Sequence, residues 1–105
     1  MDHLAIPLIR WEVNMTISEL GKILGNMYDQ APDGEKVAMI HLFGIRYSKY
    51  IRENGFVANE IIKNTMLDSG SQINSSYFSE INKGINLAKY VIEKEKIISF
   101  ITEQQ

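Results

Sequence analysis

Seven polar side chains in the last third of the sequence carry its most legible chemistry: Ser75, Ser76, Ser79, Asn82, Lys83, Asn86 and Lys89. On a helix turning by about 100° per residue, the last five fall within an arc of about 120°. Amides, hydroxyls and ammonium groups in such a stripe suit the edges of bases in a major groove. Asparagine pairs with adenine there, lysine with guanine, and serine with base or phosphate. Arg46, Lys49 and Arg52, with Lys63 and Lys89, are cations of the kind that contact phosphates. Surface helices commonly carry polar stripes of this composition, so the same face also suits solvent or another protein.

Four helices are expected to position these groups. Thr16 and Glu19 form a T-x-x-E capping box, with Met15 and Leu20 as its hydrophobic staple. Ile17, Leu20, Ile23, Leu24, Met27 and Tyr28 continue at helical spacing. Gly21 and Gly25 each cost about 1 kcal/mol against alanine inside a helix, and close packing is the expected reason for them. Ala31-Pro32-Asp33-Gly34 breaks this helix, and Asp33 is the expected N-cap of the next. That second helix is expected over 34–53, stopped by Asn54-Gly55. Its Val37, Met39, Ile40, Leu42, Phe43, Ile45, Tyr47 and Ile51 cover most of its circumference, which predicts a central position. A third, shorter helix over 57–67 would bury Val57, Ile61, Ile62 and Met66, and Asp68-Ser69-Gly70-Ser71 reads as a turn. Asn74, Ser75 or Ser76 would cap the fourth helix. Its Tyr77, Ile81, Gly84, Ile85 and Ala88 form an apolar face opposite the polar stripe.

The third and fourth helices, joined through a glycine, follow the order of a helix-turn-helix, whose second helix enters the major groove. The connection over 68–73 is longer than the usual turn of about three or four residues. With 105 residues, 45% of them hydrophobic, the chain reads as one domain: an N-terminal arm over 1–14, a helical core over 15–92 and a C-terminal segment over 93–105. Residues 4–13 read as an extended arm or short strand, confined by Pro7 to an edge or a strand's beginning. Ile97, Ile98, Phe100 and Ile101 fit either a β-hairpin or a last short helix. The fold class is therefore mainly α, a compact four-helix domain with a helix-turn-helix-like pair, with short terminal strands left open.

Other chemistries find little support. The absence of cysteine excludes a disulfide framework, a thiolate nucleophile and Cys-ligated metal sites. Net charge is −2, from 11 basic and 13 acidic residues, which argues against coating nucleic acid through bulk positive charge. Within residues 34–56, however, four bases face two acids. His41 lies in the most apolar helix and reads as a satisfied core histidine, while His3 stands in the terminal arm, so no metal-ligand pair is expected. Asp29 and Asp33 flank a turn, where capping explains them better than catalysis or metal binding. There is no phosphate-cradling G-x-x-x-x-G-K-[ST], and no cofactor is expected; an enzyme is the weakest assignment. The apolar run over 37–45 is broken by His41 and Gly44 and is too short to span a bilayer. No basic segment followed by an apolar one opens the chain, so no membrane association and a cytoplasmic location are expected.

Met27-Tyr28-Asp29-Gln30-Ala31-Pro32-Asp33-Gly34-Glu35-Lys36-Val37 and Ile40-His41-Leu42-Phe43-Gly44-Ile45-Arg46-Tyr47 form one recognisable block. Ser76-Tyr77-Phe78-Ser79-Glu80-Ile81-Asn82-Lys83-Gly84-Ile85-Asn86-Leu87-Ala88-Lys89-Tyr90-Val91 forms a second. Together they resemble a family of small bacterial proteins with a helix-turn-helix-like domain, over residues 16–91. The resemblance implies a helical fold and suggests double-stranded DNA as partner, as for a transcriptional regulator reading DNA with the helix near 75–91. A homodimer is expected, because one such unit presents few base-contacting residues, with the arm and residues 97–101 as interface elements. The alternative is a non-enzymatic protein–protein interaction module, or a subunit of a larger assembly, and the acidic balance favours it.

Overall fold

At the start of the first helix the Thr16 hydroxyl accepts a hydrogen bond from the Glu19 amide (3.1 Å), and the Glu19 carboxylate accepts one from the Thr16 amide (2.8 Å). This is the capping box expected from T-x-x-E, and it opens α1 (Ile17–Asp29). The computed structural model describes residues 15–94 and 101–102. After α1 come α2 (Lys36–Glu53), α3 (Ala58–Lys63), a 3-10 turn (Ser75–Tyr77) and α4 (Phe78–Leu87). Among the described residues there is no strand. The arm over 1–14, with its expected strand, lies outside the described residues, as do Ile97, Ile98 and Phe100; Ile101 is helical and exposed.

The core draws on all four α-helices. Leu20 and Leu24 come from α1, Ile40, Phe43 and Ile51 from α2, Ile61 and Ile62 from α3, and Ile81 from α4. Ala58 of α3 and Ile73, in the connection before α4, complete it. Each of the leucine, isoleucine and phenylalanine side chains contributes roughly 1.5–3 kcal/mol on burial. As expected, α2 is central: it packs most extensively on α4 and next on α1. Its N-terminal end departs from expectation. Asp33 makes no capping bond; the helix opens at Lys36 behind Glu35, which also lacks one. Val37, near that end, is exposed.

The third helix is shorter than its apolar pattern suggests, ending at Lys63. The Asn64 and Thr65 amides draw in to the carbonyls of Ile61 and Ile62 (3.1 and 3.0 Å). Their side chains take the carbonyls a continuing helix would use, Asn64 Nδ2 donating to Glu60 and Thr65 Oγ1 to Ile61, each at 2.8 Å. Val57 and Met66, expected to be buried, are 54% and 64% exposed. The connection to α4 therefore runs from Asn64 to Asn74, well beyond a turn of about three or four residues. It is tethered to the end of α1, where the Asp29 carboxylate accepts the Asp68 amide at 2.7 Å.

Close packing does explain the glycines of α1. A Cβ on Gly21 would collide with the Asn64 carbonyl, and one on Gly25 would lie 2.8 Å from the Met66 carbonyl. The partner is the backbone leaving α3.

Candidate nucleic-acid interface

The helix carrying the polar stripe is held along its length. Asn74 starts it, its side-chain oxygen accepting the Ser76 amide at 2.9 Å. Tyr77 then packs its ring against Tyr28 of α1, with centroids 6.0 Å apart. Further along, α4 meets α2 at two glycines. A Cβ on Gly44 would lie 2.6 Å from the Ile81 carbonyl, and one on Gly84 would collide with the His41 carbonyl. The two backbones thus approach where neither helix has a side chain. Arg52 adds a bond from Nη2 to the Ile85 carbonyl (2.9 Å).

A charged group joins the same two helices beside this crossing. His41 Nε2 lies 2.6 Å from Glu80 Oε1, and Lys83 Nζ donates to Glu80 Oε2 at 3.2 Å. An ionised carboxylate only accepts, so Nε2 carries a proton. The bond from His41, and after it that from Lys83, holds the Glu80 carboxyl below its ordinary pKa. His41 is satisfied, as expected, but it sits half-buried at the α2–α4 seam rather than in the core.

With Ile81 and Gly84 buried, the opposite side of α4 faces solvent. Ser75, Ser76, Asn82, Lys83, Asn86 and Lys89 are exposed and Ser79 is half-buried, its hydroxyl donating to the Ser76 carbonyl at 3.3 Å. Lys89 lies just past the end of the helix, in the turn after Leu87.

The cations of α2 are arranged unequally. Arg46 donates from Nε and Nη2 to the same Glu93 oxygen, at 3.0 and 2.8 Å, and Glu93 is 8% exposed. This bond raises the guanidinium's already high pKa. Lys49 is exposed and, with Arg46, Ala88 and Ile92, lines a groove of about 190 Å³ at the end of α4. Lys63 is exposed on α3, 3.6 Å from Glu60. The fold thus brings Arg46, Lys49 and Arg52 alongside α4, with Arg46 and Arg52 already engaged by it or by the residues after it.

Three features escape a reading by helical periodicity: the His41–Glu80 link, the Arg46–Glu93 pair and an apolar group after α4. Tyr90 and Ile92 are 82% and 65% exposed, with Leu87 and Val91 beside them in sequence. The only sequence signal for the links is that Glu80 and Glu93 border apolar positions. Among the described residues no three His, Asp or Glu side chains are grouped to hold a metal ion, and no helix is long and apolar enough to cross a membrane.

The sequence model of a family described as an HTH-like domain matches residues 16–94. No curated protein and no solved structure shows a significant match to the chain.

Proposed function

The chain belongs to the HTH-like domain family, and from that premise we propose that it binds double-stranded DNA through α4, as a small non-enzymatic regulator of transcription. One observation carries this assignment: α4 is fixed on one side by Gly44, His41 and Arg52 while Asn82, Lys83, Asn86 and Lys89 face solvent on the other. A rigid helix with an exposed amide and ammonium face meets the chemical needs of base-edge recognition. Ser75 and Ser76, exposed at its leading end, suit phosphate or base contacts, and Lys49, Lys63 and Lys89 suit phosphates. Arg46 serves as a phosphate ligand only if it leaves Glu93. A homodimer doubles this limited contact set, and exposed Tyr90 and Ile92 are apolar surface suited to pairing between copies.

The decisive experiment is a fluorescence-anisotropy titration against mixed-sequence duplex DNA at about 50 and about 200 mM salt. Binding at low salt that falls steeply at high salt supports the assignment. The same exposed apolar group supports a second assignment, a module that binds another protein. Absence of DNA binding at both salt concentrations favours that second assignment, and a complex insensitive to salt is its expected signature.

A further inference from the structure

The polar arc of α4 divides into groups already engaged and groups left open. Lys83 is bonded to Glu80, and the Ser79 hydroxyl to the Ser76 carbonyl. Asn82 and Asn86 are exposed, and among the described residues neither side-chain amide has a hydrogen-bond partner. They are four residues apart, which separates them by about 6 Å along the helix and about 40° around it. Base pairs stack at about 3.4 Å, so the two amides reach bases no more than about two base-pair steps apart.

Resting on the DNA-binding assignment, we infer that α4 is a reader of A·T pairs, with Asn82 and Asn86 each recognising one adenine. In the major groove adenine offers an acceptor at N7 and a donor at N6, which an amide matches with its own donor and acceptor. Guanine offers two acceptors, N7 and O6, suited to arginine or lysine. No arginine occurs between residues 75 and 91, and Lys83 is drawn aside by Glu80. Lys89 lies past the end of the helix, so the face of α4 itself lacks the arginine fork that selects guanine and holds two open copies of the group that selects adenine. Each half-site contains two adenines, on either strand, within about two steps of each other.

The test begins with selection from a random-sequence duplex pool, using the wild-type chain, Asn82→Ala and Asn86→Ala, with the retained duplexes sequenced. Wild type is expected to enrich two A·T positions in each half-site, and each variant to relax one of the two. Both side chains are exposed, so circular dichroism should report unchanged folding. A second arm alters only the DNA: 7-deazaadenine at the selected adenines removes N7, and affinity should fall by about tenfold or more. Enrichment of G·C positions, unchanged selection by both variants, or indifference to 7-deazaadenine overturns the inference while leaving DNA binding intact. Retention of no duplex at all overturns the DNA-binding assignment and the inference with it.

Discussion

His41 on α2 and Glu80 on α4 meet through a 2.6 Å hydrogen bond, beside the place where Gly44 and Gly84 let the two backbones touch. The glycines set the distance between the helices and the charged bond adds direction. The polar face of α4 owes its aim to both, because rotation of α4 about its axis would break the bond and lift Ile81 from the core.

The bond makes stability sensitive to acid. Glu80's carboxyl is held below its ordinary value, first by His41 and then by Lys83. The folded state therefore binds fewer protons at this site than the unfolded chain. Its stabilising contribution is complete above the unfolded pKa and disappears as pH falls through the folded one. Urea midpoints of wild type and Glu80→Gln, compared from about pH 6 to about pH 3, should differ at the upper end and converge at the lower. A gap that is constant with pH would show that the pair contributes nothing.

Gly84→Ala should destabilise the fold by about 1–3 kcal/mol, since the added methyl meets the His41 carbonyl rather than a side chain able to move away. The expected gain in helix propensity, about 1 kcal/mol, is smaller and of opposite sign. Chemical denaturation decides which effect wins. A variant as stable as wild type would mean that α2 and α4 can separate without loss.

How much of this was readable in the sequence depends on the kind of interaction. The capping box at Thr16, the apolar face of α4 and the centrality of α2 follow from local spacing, and each was found where expected. The end of α3 was not legible, because Asn64 and Thr65 stop it with side-chain bonds that compete with the apolar period through Met66. Asp33 shows the reverse, a good capping residue that caps nothing. In the candidate site, the exposure of Asn82 and Asn86 followed from periodicity. Which cations were open did not, since the partners of Arg46 and Arg52 lie 47 and 33 residues away in the chain.

Lysines that contact only phosphates should differ from the amides in their signature. Lys63→Ala and Lys89→Ala are each expected to weaken DNA binding evenly across sequences and to lower the salt slope by about 1. Anisotropy titrations over a salt series on two unrelated duplexes measure both quantities. A loss confined to one duplex would mark the residue as a base reader, and no loss would place it outside the interface.

Arg46 offers the sharpest separation between a structural and a binding role. Glu93 neutralises it, so Glu93→Gln keeps the shape of the pair, removes one negative charge and loosens the guanidinium. Because the arginine is partly exposed, the stability cost should be only about 1 kcal/mol. If the freed guanidinium reaches a phosphate beside α4, affinity rises and the salt slope steepens by about 1. Arg46→Ala in the Glu93→Gln background should cancel that gain. Should the double variant and Glu93→Gln bind DNA identically, Arg46 serves only to hold the chain after α4 against α2.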